Sequence, residues 1–438
     1  MEKVKKPMKK RTKIFLKVLS AIAIIIVIFI LVTAIISAVG VQMNVKKAQS
    51  FENAKTLQLD FDNYDDGCYN IKSDNGLKVM QLTDVHIGGG WATIEKDAKA
   101  INAVASMITA EKPDFVVVTG DVSYPVPFQS GTFNNKSGAK VFAELMESLG
   151  VYWTIAYGNH DTEAYSYYSR EALTKFYSSD KYKHCLLQAG PKDVDGVGNQ
   201  VFNIVNSGNV ITRSLIVFDS HSYTNGDWLG IKWSYDNIHE NQIEWYKTVI
   251  KSINDKNKNA IAELSSDKAN GYSEEDINAP TTVFFHIPRN EYQDAWDEYK
   301  ANGYKDTENV KYIYGYPGET DEKSYGPVVR DNMFNTMLEL KSTDSAFCGH
   351  DHFNNFAVNY KGINLCNGLS IDYLAYFGIK NLGTQRGCTI IDYAPNGDID
   401  FHQENYYQNK YPSKYPKEEV TVQDITKSGD MVNMPDMS

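Results

Sequence analysis

Nine residues in five short blocks carry most of the chemistry open to this chain. The blocks are Asp84-Val85-His86, Gly120-Asp121, Gly158-Asn159-His160-Asp161, Phe284-Phe285-His286 and Gly349-His350-Asp351-His352. Each follows or ends an apolar run fit for a strand, for instance residues 77–82, 115–118 and 151–156. In α/β sheets the carboxyl ends of strands converge on one crevice, where loops present functional groups. Five distant loops can therefore bring carboxylates, imidazoles and an amide together. Oxygen and imidazole donors without thiolates suit Mn, Fe or Zn. One carboxylate can bridge two such ions, and paired ions suit in-line displacement at phosphorus. Side chains two apart on an extended segment point the same way, which fits Asp84/His86 and His350/His352 as co-ligands.

The elements that must position these blocks alternate. Residues 69–73 and 77–82 flank Asp74-Asn75-Gly76, which predicts a β-hairpin. Residues 94–111 and 139–149 read as helices between strands at 77–82, 115–118 and 151–156, a βαβαβ order that implies a sheet covered by helices. Later strands are expected near 201–205, 211–218, 282–286, 345–348, 355–359, 363–366, 387–393 and 398–402. Their close spacing towards the C-terminus predicts antiparallel pairing, hence mixed sheets. The polar stretches 254–279 and 301–326 read as insertions or long loops.

Composition narrows the class. The 438 residues are 42% hydrophobic and 23% charged, enough apolar material for a sizeable core. Five cysteines make no disulfide framework, and Cys348 reads as a packed thiol. Eight basic residues stand against Glu2 in the first 17 positions, so the rest of the chain is more acidic than the formal net charge of −11. Such a body repels phosphate backbones, and no nucleic-acid partner is expected. From Val18 to Val39 no charge occurs, long enough at ~1.5 Å per residue for a hydrocarbon core of ~30 Å. The expected organisation is a basic cytoplasmic N-terminus (1–17), a transmembrane anchor (18–39), a stalk (40–53), a body outside the cytoplasm (54–407) and a flexible polar tail (408–438).

The five blocks resemble the calcineurin-like metallophosphoesterase superfamily, whose signature is DxH, GD, GNHD, H and GHxH in that order. The resemblance covers roughly residues 77–402. It implies a four-layer αββα sandwich of two mixed β-sheets flanked by helices, here preceded by the one N-terminal transmembrane helix. It also implies a first metal on Asp84, His86, Asp121 and His352, and a second on Asp121, Asn159, His286 and His350. His160 would face the substrate and assist the leaving group, oriented by Asp161. Asp121-Val122-Ser123-Tyr124 also matches the GDxxY of purple acid phosphatases, whose tyrosine binds iron, but His86 and Tyr124 would compete for one position. His86 is favoured and Tyr124 becomes a wall. His286-Ile287-Pro288-Arg289-Asn290-Glu291-Tyr292 resembles the HIPxxEY of phosphatase-like members. The expectation is a membrane-anchored dinuclear-metal enzyme, its ions divalent or trivalent, hydrolysing a small phosphomonoester by metal-hydroxide attack. A phosphodiesterase or nucleotidase on the same metals, or a tethered binding protein without turnover, are the rivals. Gly88-Gly89-Gly90-Trp91 reads as a loop beside the metals, and His221 as ordinary or supporting.

Overall fold

The computed structural model describes residues 10–264, 272–273, 277–376 and 386–418. Parts of the expected basic N-terminus, of the 254–279 stretch and of the tail therefore lie outside the described residues. The chain starts as one helix, α1 (Lys10–Ala48), long and apolar enough to cross a membrane. Strands β1 (Phe61–Asp65) and β2 (Cys68–Lys72) follow. Then come β3 (Leu77–Leu82), α2 (Ile94–Glu111), β4 (Phe115–Val118), the short α3 (Pro127–Ser130), α4 (Asn135–Leu149) and β5 (Tyr152–Ile155). The middle of the chain holds α5 (Arg170–Tyr177), β6 (Gln200–Val205), β7 (Ile211–Val217), α6 (Glu240–Glu263), β8 (Thr281–Phe284), α7 (Asn290–Ala301) and β9 (Val310–Tyr314). It closes with α8 (Met333–Leu340), β10 (Thr343–Cys348), β11 (Ala357–Tyr360), β12 (Ile363–Asn367), β13 (Cys388–Tyr393), β14 (Ile399–Glu404) and α9 (Tyr407–Lys410).

Two mixed sheets form, in the orders β1-β2-β6-β7-β8-β10-β12-β11-β9 and β14-β13-β3-β4-β5. Leu77, Val79, Phe115 and Val117 of the smaller sheet meet Phe202, Leu215, Phe284 and Phe347 of the larger between them. The outer face of the smaller sheet is covered by α1, α2 and α4, and that of the larger by α6, α7 and α8. This is the four-layer sandwich. Register aligns the working ends: Leu82 pairs with Val118, Val118 with Ile155, and Phe284 with both Val217 and Phe347. The loops after these strands therefore leave at matching levels.

Three local readings change. The turn at Asp74-Asn75-Gly76 is not a hairpin, because β2 pairs with β1 and β6 whereas β3 pairs with β4 and β13. Of β3 only Lys78 is not buried, and the parallel β4 delivered by α2 covers its edge, so long-range burial outweighs the turn signal. The stretches read as insertions hold the last turns of α6 and all of β9. The stretch read as a stalk continues α1 to Ala48 without a break. Its Gly40 lies so close to α2 that a Cβ there would stand 2.5 Å from Ile94 Cγ1, and Asn44 Nδ2 donates to Ile94 O at 3.0 Å. The first part of the expected tail also packs: Tyr411 donates to Glu111 at 2.7 Å, Ser413 accepts from Asn102 at 2.9 Å, and Glu418 pairs with Arg386.

Gly40→Leu should wedge α1 away from α2 and destabilise the domain by about 1–3 kcal/mol, as overpacking does. A fall in the thermal midpoint relative to the parent, with unchanged far-UV circular dichroism, is the expected result.

Candidate metal centre

The carboxyl ends of β3, β4, β5, β8 and β10 bring seven donors together. Asp84 and His86 follow β3, Asp121 follows β4, Asn159 follows β5, His286 follows β8, and His350 and His352 follow β10. All seven are buried. Four of them, Asp84, His86, Asp121 and His350, hold φ between 50° and 77°, in the left-handed region. Non-glycine residues pay roughly 1–3 kcal/mol for such backbone, which persists where the surroundings over-determine it. The glycines of the blocks have a steric reason. A Cβ on Gly158 would stand 2.1 Å from Asp121 Oδ1, and one on Gly349 would stand 1.9 Å from Thr83 Oγ1.

The donors form two groups that share an oxygen. Asp121 Oδ2 lies 3.4 Å from His86 Nε2 and 3.2 Å from His286 Nε2. On the first side, His352 Nε2 is 3.4 Å and His86 Nε2 3.9 Å from Asp84 Oδ1. On the second, His286 Nε2 is 3.1 Å from Asn159 Oδ1 and 3.3 Å from His350 Nδ1. Asp84, His86, Asp121 and His352 offer atoms all within 4.8 Å of one another.

Hydrogen bonds outside the cluster show that these atoms turn lone pairs inward. His286 Nδ1 donates to Thr119 O at 2.7 Å, so Nε2 faces the cluster and is an acceptor whenever the ring is neutral. Asn159 Nδ2 donates to Tyr223 Oη at 3.0 Å, which turns the amide oxygen towards His286. Asp84 Oδ2 accepts from His350 N at 3.1 Å, while Asp84 Oδ1 is buried with no hydrogen-bond partner. Acceptors facing acceptors in a buried place call for a cation. Burial opposes a charged His86, yet Asp372 and Asp121 push its pKa up to about 10; His286, opposed by burial and favoured by Asp121, rises to about 9. The positive charge these carboxylates demand is what metal ions would supply. The donor set fits two of them.

Residues missed in the sequence support this centre. Asp372 faces His86 Nδ1 at 3.5 Å with Oδ1 and His352 Nδ1 at 3.3 Å with Oδ2, setting both rings so that Nε2 points inward. Its own oxygens accept from the amides of Leu374, Ala375 and Tyr376 at 2.6–2.8 Å. Its position just past the end of β12 was the available signal. Glu163 is the second: its Oε1 lies 2.6 Å from His160 Nδ1, leaving Nε2 of this partly exposed ring free. The expected partner, Asp161, does something else. Its carboxylate accepts from the backbone amides of Asp121, Ser123 and Gly158, each at 2.9 Å, tying the β4 loop to the β5 loop. Burial and the nearby charge of Asp121 push its pKa up to about 6.

The remaining expectations sort readily. Tyr124 stacks on His86 at 4.6 Å and donates its hydroxyl to Gln129, so it is a wall. Gly88 N and Gly89 N are already taken by the Asp97 carboxylate. His221 stacks on His239 at 4.0 Å. Arg289 pairs with Asp331, and Tyr292 donates to Ala346 O, so the part of the HIPxxEY segment after His286 is structural. Cys348 is a buried free thiol.

The profile of the calcineurin-like phosphoesterases matches residues 77–354. The chain belongs to this family. Among curated relatives, "Probable inactive purple acid phosphatase 14" of Arabidopsis thaliana is 29% identical over 70% of this chain and 73% of its own length. "Phosphatase DCR2" of Saccharomyces cerevisiae is 28% identical over 66% of this chain and 46% of its own. A solved dimetal phosphatase from Danio rerio aligns with 76% of this chain and 99% of its own, at 13% identity and a TM-score of 0.42.

For this family member, Asp372→Asn should weaken metal binding roughly 10–100-fold, as losing a carboxylate behind ligand histidines does. Metal titration by calorimetry measures it. Asp161→Asn should melt below Glu163→Gln in differential scanning calorimetry, because only Asp161 ties two loops together.

Proposed function

We propose that this phosphoesterase is a membrane-anchored hydrolase of phosphomonoesters, working outside the cytoplasm with two transition-metal ions (Mn, Fe or Zn). The observation that supports it most is the position of Asp121 Oδ2 between two complete donor groups. Asp84, His86, Asp121 and His352 would hold one ion, and Asp121, Asn159, His286 and His350 the other. Held by these residues, the ions would supply positive charge for phosphoryl oxygens and would acidify water for attack.

The chain's own residues do the rest. His160 sits at the mouth, edge-on to His86 at 5.5 Å, with Glu163 on Nδ1. Its Nε2 hands a proton to the departing oxygen, and Glu163 holds the ring for that step. Tyr124 and Tyr235 wall the site, the latter edge-on to His350 at 4.3 Å. Residues 18–39 span the membrane, and the basic residues before them keep the N-terminus inside.

The word "inactive" in the Arabidopsis names favours a second reading, a binding protein without turnover. In this chain the donor set is complete. Purified full-length protein loaded with each metal should hydrolyse p-nitrophenyl phosphate faster than bis-p-nitrophenyl phosphate. Asp121→Asn should abolish both metal content and turnover. His160→Ala should keep the metals and lose about 10²–10⁴-fold in kcat, with Glu163→Gln following in the same direction. A metal-loaded parent that cleaves neither ester would establish the second reading.

A further inference from the structure

The path of α1 fixes the side from which a bilayer meets the domain. Gly40 and Asn44 pack at Ile94, the first residue of α2, beside the carboxyl end of β3. Further on, Ala54 N donates to O of Leu149, the last residue of α4, beside the start of β5. The helix thus enters at the carboxyl edge of the smaller sheet and runs towards its amino edge. Followed backwards, residues 18–39 leave the domain on the carboxyl-edge side. That side carries the metal centre.

The same edge carries the exposed apolar surface. Among the described residues outside α1, every exposed large hydrophobic side chain except Leu57 and Tyr64 sits on a connection leaving the carboxyl end of a strand, Phe128 on the short α3. Phe128 is 98% exposed and Trp228 77%, with Ile231 and Trp233 beside the latter. The loop bearing these last three is rooted in the site, through Tyr223 on Asn159 and Tyr235 on His350. Trp91 meets Phe29 of α1 edge-on at 6.3 Å. A hydrocarbon core of ~30 Å counted from Lys17 at ~1.5 Å per residue ends near Ser37, so the stretch of α1 from Phe29 to Gln42 that lines the neighbouring cleft straddles its outer boundary. A cleft of ≈1070 Å³ between α1 and Trp91, Phe128, Phe133 and Tyr167 has Lys136 and Lys140 in its wall, suited to anionic headgroups. Aromatic side chains with nearby lysines are the composition of a membrane interface, and an exposed apolar rim of this kind marks a docking surface.

We propose that the metal-centre face docks on the outer surface of the bilayer and that the substrate is a phosphomonoester of a membrane lipid. This rests on the phosphoesterase and anchor readings above. Water adds its oxygen to phosphorus, the P–O bond to the lipid breaks, and the lipid oxygen takes a proton from His160. A membrane-bound alcohol and inorganic phosphate result.

The test uses full-length, Mn-loaded protein in phosphatidylcholine vesicles containing phosphatidic acid, with p-nitrophenyl phosphate as the soluble comparison. The double variant Trp228→Ser/Trp233→Ser should keep p-nitrophenyl phosphate turnover and lose about 10-fold on phosphatidic acid, since these contacts position only the lipid. Independently of turnover, brominated phosphatidylcholine should quench tryptophan fluorescence of Asp121→Asn protein, and quench it less once Trp228 and Trp233 are replaced. Equal rates on phosphatidic acid for parent and double variant, or quenching that the replacement does not change, overturns the proposal. A parent that cleaves p-nitrophenyl phosphate but no vesicle-borne phosphatidic acid overturns the lipid substrate. A parent that cleaves nothing overturns the phosphoesterase reading, and quenching then decides the docking face alone.

Discussion

One carboxylate oxygen, Asp121 Oδ2, stands between imidazoles delivered by different sheets. His86 comes from the smaller sheet and His286 from the larger, so this oxygen sits where their carboxyl edges meet. Burying carboxylates against inward-facing lone pairs is costly unless charge compensates it. The fold resists removing that cost by rearranging, because Asp84, Asp121, Asn159, His286 and His352 each make a further hydrogen bond. A cation removes it. Ions that bind the folded chain and not the unfolded one stabilise it by mass action, so the centre ties chemistry to folding.

Holding donors in place takes backbone that most sequences avoid. Asp84, His86, Asp121 and His350 share left-handed φ values, and Gly158 and Gly349 leave no room for a side chain. Two acids that need touch no ion keep this arrangement in position. Asp161 gathers three amides from two loops, and Asp372 gathers three from its own turn while facing His86 and His352. The strain is local and the support is distributed, as expected where geometry serves chemistry.

Much of this could be read from the sequence, and the omissions have physical reasons. Donor types and their place after apolar runs revealed the five blocks, because strand ends and chemistry coincide in α/β folds. Asp372 escaped because one acid after a strand looks like any surface acid until the two rings it faces are in place. Glu163 escaped because the adjacent Asp161 offered a nearer partner, and only the loop's conformation shows which carboxylate reaches the imidazole. β3 joined a sheet its preceding turn did not predict, since turn chemistry is local and pairing is settled by burial across the molecule. β9 escaped because its Val-Lys-Tyr-Ile-Tyr run is short and lies inside an otherwise polar stretch, although it forms the sheet edge.

The continuity of α1 matters more than its length. A helix of 39 residues spans roughly 58 Å at ~1.5 Å per residue, enough for ~30 Å of hydrocarbon with turns to spare. Had the residues after Val39 formed a loose stalk, the domain could tumble and present any face to the lipid. Instead Gly40, Asn44, Val45 and Ala48 are buried against the domain, so helix and body turn as one piece. A rigid tether converts the direction of a single helix into the orientation of an active site. The side on which α1 departs is also the side where Phe128 and Trp228 are left uncovered, and a sequence with such side chains exposed to water would favour aggregation. Helix direction and surface composition are separate properties of the chain, and under the proposed anchoring both favour a membrane surface in front of His160.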